Sequence, residues 1–245
     1  VPVVEFREVS YRIGGRTVLD RLSFALEPGE TLALVGRSGS GKTTALRMVN
    51  AMALPAEGVV LVEGKPTTEW DPVRLRRRAG YVIQEGGLFP HLTVEQNIGL
   101  VLRLDGMPPA AIRDRADALL SLVGLDPSEF RRRYPRQLSG GQRQRVGVAR
   151  ALAEDPPVLL FDEPFGALDP VTRAEIQREF VKLAGPQRTS LFVTHDLAEA
   201  FRVASTIGLL HEGRLEYFGP VEGFRSCSSA EARAFLDSIS MNGMS

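Results

Sequence analysis

TLALVGRSGSGKTTALRMVN, residues 31–50, decides the reading of this chain. Five residues, Thr31 to Val35, form a short apolar run of the kind a strand shows when both its faces are buried. Gly36 to Gly41 then break the run with three glycines. From Lys42 to about Asn50 the spacing turns helical. Strand, glycine loop and helix in that order place GRSGSGKT (Gly36–Thr43) in the context that a phosphate-binding loop needs. Main-chain N–H groups from Gly36, Arg37, Ser38, Gly39, Ser40 and Gly41 to Thr44 would point at phosphate oxygens, at the positive end of a helix. Lys42 would reach the β- and γ-phosphates of a nucleotide, and the Thr43 hydroxyl would ligate Mg²⁺.

Further strand ends carry polar groups. VLLFDEP (158–164) is an apolar strand that ends in two acids. Acids at the C-terminal end of a strand face the crevice in which open α/β sheets bind ligands. Asp162 is expected to hold Mg²⁺, and Glu163 to orient or deprotonate an attacking water. His195, in FVTHD, follows another apolar strand and is expected to contact the γ-phosphate and steady Glu163. Gln84 ends the strand YVI and is the fourth such group, a candidate for both metal and water. Tyr11 has two readings, a ring stacked on adenine or an aromatic in the core of a hairpin.

A second glycine pair opens a different helix. In RYPRQLSGGQRQRVGVARAL (133–152), Ser139 is a good N-cap and Gly140-Gly141 expose the next backbone donors. Such an end can bind an anion, yet no acidic strand end accompanies it. Ser139, Gly140, Gly141 and Gln142 are therefore expected to complete a phosphate site built elsewhere, with a second copy of the chain as the natural donor.

The rest of the chain fits one large unit. Its 245 residues, 43% hydrophobic with 30 Lys+Arg against 30 Asp+Glu, give an ordinary globular balance and no global basic field, which disfavours nucleic acid as a partner. One cysteine excludes an internal disulfide framework and suits a reducing compartment. No apolar run reaches the roughly 18 to 20 residues of a membrane helix, and the N-terminus lacks the plan of a signal peptide. Any membrane role is expected to come through a partner. Strands are expected near Val3–Ile13, Leu22–Leu26, Val59–Val62, Tyr81–Ile83, Ser190–Thr194 and Ile207–Leu210. Helical spacing fills 94–152, broken at Pro108-Pro109 and at Asp126-Pro127. Helices follow near Thr172–Leu183, after His195 and at Ala230–Ile239. Alternating strands and helices imply an α/β fold with a mostly parallel sheet.

These motifs, in this order, resemble the nucleotide-binding subunits of ABC transporters, from Val3 to about Phe224. The resemblance implies a P-loop NTPase core of RecA-like type with an N-terminal antiparallel β-subdomain and an inserted α-helical subdomain. The implied division is 1–84 with 156–225 as β-subdomain and core, 85–155 as helical subdomain and 226–245 as a short closing segment. It implies ATP and Mg²⁺ as ligands, held between one subunit's phosphate loop and the other's LSGGQ, with Asp169 of GALD also acting across the dimer. Partners would be a second copy, integral-membrane permease subunits and, indirectly, a substrate-binding protein. The location would be peripheral, on the cytoplasmic face of a bacterial membrane.

LRRRAGYVIQEGGLFPHLTVEQNI and FVTHDLAEA further resemble the ATPases of importers for osmoprotectants such as glycine betaine, choline and proline. Arg37 departs from a proline common among relatives, and Gly166 from a serine. A soluble ABC ATPase of chromosomes or ribosomes is disfavoured, since the chain shows no coiled-coil insert and no tandem domain. A P-loop kinase or GTPase would leave LSGGQ idle. An exporter subunit is disfavoured by the fine resemblance.

Overall fold

The structure, a computed structural model, describes residues 1–83, 87–166, 168–184 and 188–242. Strand β1 (Val4–Ile13) turns at Gly14-Gly15, both with positive φ, and pairs antiparallel with β2 (Arg16–Leu26). The sequence suggested a strand only at Leu22–Leu26. The hairpin extends it back to Arg16, because cross-strand pairing from Ile13 to Arg16 satisfies the backbone of otherwise polar residues. β4 (Glu57–Val62) and the two-residue β5 (Lys65–Pro66) complete a sheet of order β2-β1-β4-β5.

The second sheet carries the site. It comprises β3 (Thr31–Val35), β6 (Ala79–Val82), β7 (Val158–Asp162), β8 (Thr189–Thr194), β9 (Thr206–His211) and β10 (Arg214–Pro220), in the order β10-β9-β3-β8-β7-β6. All pairings among β9, β3, β8, β7 and β6 are parallel; β10 runs antiparallel at the edge. β10 escaped the sequence reading because its residues alternate between exposed and half-buried, leaving no apolar run. β3 shows the period of two. Leu32 and Leu34 join one core with α1 (Lys42–Val49) and the antiparallel sheet, while Ala33 and Val35 join the other, among the helices.

A short helix, α2 (Pro72–Arg78), leads into β6. The helical region opens with α3 (Val94–Ile98) and α4 (Leu100–Leu104), then α5 (Pro109–Leu122), α6 (Pro127–Phe130) and α7 (Gly140–Ala151). The helical spacing breaks at Pro108-Pro109 and Asp126-Pro127 as expected, and Pro109 and Pro127 each open the next helix, at the first position where a missing N–H costs nothing. α8 (Pro170–Ala184), α9 (Leu197–Val203) and α10 (Ala230–Asn242) follow. The arginine clusters sit on solvated faces beside acids: Arg78 with Glu63, Arg131 with Asp117, Arg133 with Glu129. Trp70 packs against the core of the antiparallel sheet. Among the described residues no helix is long and apolar enough to cross a membrane.

Candidate functional site

Parallel order brings the polar strand ends together. β3 feeds the glycine loop, β8 feeds His195 and β7 feeds Asp162 and Glu163, and these three strands are immediate neighbours. The loop is shaped by contact. A Cβ on Gly36 would meet the Leu210 carbonyl oxygen at 2.2 Å, and Gly41 adopts φ 103° with Leu19 and Val18 packed where a side chain would stand. Helix α1 starts at Gly41 with no side-chain cap and no acid in its first turn. Its N-terminal donors therefore face outward from the positive end of the helix, as an anion cradle requires. Ser40 Oγ is buried at the same place and has no hydrogen-bond partner among the described residues.

Lys42 is buried in the loop, and its Nζ donates to the carbonyls of Gly36 at 2.7 Å and Arg37 at 2.8 Å. Burial lowers its pKa; the charges of Glu163 and Asp162 act against that shift. The Thr43 hydroxyl donates to Asp162 Oδ1 at 2.9 Å. Hydroxyl and carboxylate oxygens are the donors Mg²⁺ prefers, with water completing its shell, so this pair fits the ion. Tyr81 completes the arrangement, its hydroxyl donating to the other Asp162 oxygen at 3.2 Å. Sequence reasoning missed Tyr81. Its only signal was membership of the strand 81–83; that this strand lies beside β7 is known from topology alone.

Glu163 sits just past β7 at φ 48°, with its N–H bonded to the Val193 carbonyl. A non-glycine residue in the left-handed region is uncommon, and here it turns the carboxylate toward β8. His195 Nδ1 lies 3.5 Å from Glu163 Oε1, with the imidazole 60% exposed. Asp196 caps α9 through Ala198 and Glu199, fixing the turn that presents His195. Gln84 lies outside the described residues. Tyr11 is half-buried against the core of the antiparallel sheet, as the hairpin reading expects. A cavity of about 700 Å³ adjoins the loop, lined by Arg16, Thr17, Val18, Ser38 and Gly39, room enough for a nucleoside.

LSGGQ opens α7 as expected, with Ser139 as N-cap. Ser139 Oγ accepts from the Gln142 N–H at 3.2 Å and Gln142 Oε1 accepts from the Ser139 N–H at 2.9 Å, a capping box. Ser139 and Gly140 are exposed, whereas Gly141 is buried against α8, where a Cβ would meet Thr172 Cγ2 at 2.5 Å. Asp169 is exposed and caps α8 through the N–H groups of Val171 and Thr172. Hydrogen bonds from Thr172 hold its carboxyl below the usual range. Arg37, expected only as part of the loop's main chain, also makes a bidentate side-chain pair with Glu231 of α10.

Comparison with known proteins agrees with this geometry. The ABC transporter family pattern matches residues 19–166. The glycine betaine/carnitine/choline transport ATP-binding protein OpuCA of Bacillus subtilis is 45% identical over 91% of this chain, which spans 59% of that relative's length. The glycine betaine uptake system ATP-binding protein YehX of Escherichia coli is 47% identical over 87% of the chain and 69% of its own length. Among solved structures, the ATP-binding cassette MJ0796, a dimer in a post-hydrolysis state bound to ADP and Pi, superposes with a TM-score of 0.79 at 33% identity. The superposition covers 89% of this chain and 98% of that one. With its sequence matched across the loop, the signature helix and the acid pair, the chain belongs to the ABC transporter family.

Proposed function

We propose that this chain binds and hydrolyses ATP in a head-to-tail pair with a second copy, and that the pair powers import of quaternary-amine osmoprotectants through a membrane permease. The observation that carries the reading is the alignment of the phosphate loop, Asp162 and the Glu163–His195 pair at one edge of a parallel sheet. In this reading Lys42 exchanges its two carbonyls for β- and γ-phosphate oxygens, and the donors at the start of α1 hold the remaining charge. Thr43 and Asp162 would hold Mg²⁺, which neutralises charge between those phosphates. Glu163 accepts a proton from, or aligns, the water that attacks the γ-phosphorus, and His195 keeps that carboxylate in place. Asp162, pinned by the Thr43 and Tyr81 hydroxyls, would be held in place to bind the ion.

The exposed start of α7 supports the in-trans assignment. Ser139 and Gly140 face solvent, and Gly141 packs on α8 rather than on the loop. The segment 85–155 acts as the arm that brings this end over the neighbour's nucleotide. The permease helix would dock along the stretch from Glu85 to His91, of which 85 and 86 lie outside the described residues, in the groove lined by Ile83, Gly87, Phe89, Leu100 and Val101. Asn97 pins the rim of that groove by donating to the carbonyls of Phe89, Leu92 and Thr93. The OpuCA and YehX likenesses support the choice of cargo, which a separate binding protein would read through aromatic groups around the cation.

Phosphate release by the purified chain tests the enzyme reading, and a chain without ATPase activity, alone or with its permease, would sink it. Uptake of labelled glycine betaine, choline and proline into proteoliposomes tests the cargo. ATP-dependent uptake of an anion such as sulfate, with none of the three moved, overturns the cargo and leaves the ATPase intact.

A further inference from the structure

The outer side of the phosphate loop is fastened by elements from the far end of the chain. Gly36 rests on the Leu210 carbonyl at the end of β9, and the Gly213 N–H donates to the Ser40 carbonyl. The third tie is a side chain. Arg37 Nε donates to Glu231 Oε1 at 2.7 Å and Nη2 donates to Oε2 at 3.1 Å, across 194 positions of sequence. The two partners differ in environment: the Arg37 side chain is 67% exposed and that of Glu231 only 7%. His211 Nδ1, on the last residue of β9, lies 3.6 Å from the second carboxylate oxygen. Glu231 is thus a buried carboxylate whose two oxygens face one loop residue and one strand-end residue. Its helix is seated by Ala232, wholly buried in the helical core beside it.

Arg37 contributes to the loop through its carbonyl as well, which accepts from Lys42 Nζ. Holding the guanidinium therefore holds the backbone that stations the lysine. We propose that Glu231 is a positioning residue for nucleotide binding: by clamping Arg37 it keeps the loop in its phosphate-ready shape, so that affinity depends on how α10 is seated. This rests on the ATP reading above. The physical reason is preorganisation. A loop residue tied down before binding has less freedom left to lose when the ligand arrives, and losing such a tie costs roughly three- to tenfold in affinity.

The test is ADP binding to the full chain by calorimetry, with thermal melting and steady-state ATPase kinetics on the same samples. Glu231→Ala and Arg37→Ala should each weaken ADP binding about three- to tenfold. The double variant should be no weaker than the worse single, because both remove one link. KM for ATP should rise while kcat holds, a split that a mere loss of stability does not produce. Glu231→Gln, which keeps the volume and one acceptor oxygen, should fall between, and it carries the test alone if Glu231→Ala does not fold. Arg233→Ala, on the exposed side of the same helix, should bind ADP as the parent does. If Glu231→Ala and Glu231→Gln bind ADP within twofold of the parent while melting lower, the bridge is only a staple and the proposal is overturned. A parent chain that binds no nucleotide overturns the ATP reading itself.

Discussion

Thr43 Oγ1 donates to Asp162 Oδ1 at 2.9 Å, across 119 positions of sequence. One residue opens the helix after β3 and the other closes β7, and β8 lies between those strands. The bond measures how tightly the sheet gathers its strand ends into one site.

Glu163→Gln should bind ATP as the parent does and lose hydrolysis by about a hundredfold or more. The phosphate cradle does not involve Glu163, whereas His195 would then face an amide that cannot take a proton. Filter binding beside phosphate release checks both halves. Hydrolysis near the parent rate would remove Glu163 from the catalytic role.

Lys42→Ala should weaken nucleotide binding roughly ten- to hundredfold, the worth of charge-assisted hydrogen bonds of about 1.5–3 kcal/mol. Ser139→Arg should leave binding to the single chain intact and block closure over the neighbour. Nucleotide titration at low protein concentration, followed by sedimentation with ATP, separates the two. Equal binding loss in both variants would contradict the in-trans placement of α7.

Gly141→Ala should destabilise the fold by about 1–3 kcal/mol despite the better helix propensity of alanine. The new methyl would stand 2.5 Å from Thr172 Cγ2, where α7 meets α8. Thr172→Ser removes that methyl and keeps the hydroxyl near Asp169, so the pair of changes should recover stability. Urea unfolding of the two single variants and the double variant is the measurement; no recovery would mean the helices do not meet as described.

Glu154 should make stability fall as pH rises. Burial, then the hydrogen bond and charge of Asp105, raise its pKa from 4.5 to about 7, with Arg77 opposing. In that window the folded chain binds more protons than the unfolded one, so the contribution is full below about 4.5 and is lost as pH rises toward 7. Glu154→Gln should flatten the slope of unfolding free energy between pH 5 and roughly 7. An unchanged slope would assign the titration elsewhere.

The sequence by itself determined the chemistry that is local. Val35, Gly36 to Gly41 and Lys42 announce strand, loop and helix because apolar runs, glycine and helical spacing are each written in consecutive residues. Ser139 before Gly140-Gly141 announces a capped helix for the same reason, whereas the answering bond from Gln142 was seen only in the structure. Asp162, Glu163 and His195 were legible as strand-end groups, since an apolar strand that stops at an acid or imidazole needs no partner to be seen. Tertiary structure alone decided who meets whom. Tyr81 touches Asp162 because β6 lies beside β7, and β10 forms because β9 offers an edge to its half-exposed residues. Arg37 finds Glu231 only once α10 has packed against the helical core. Such pairings depend on strand order and helix seating, energies summed over many distant contacts, and no short stretch of sequence records them.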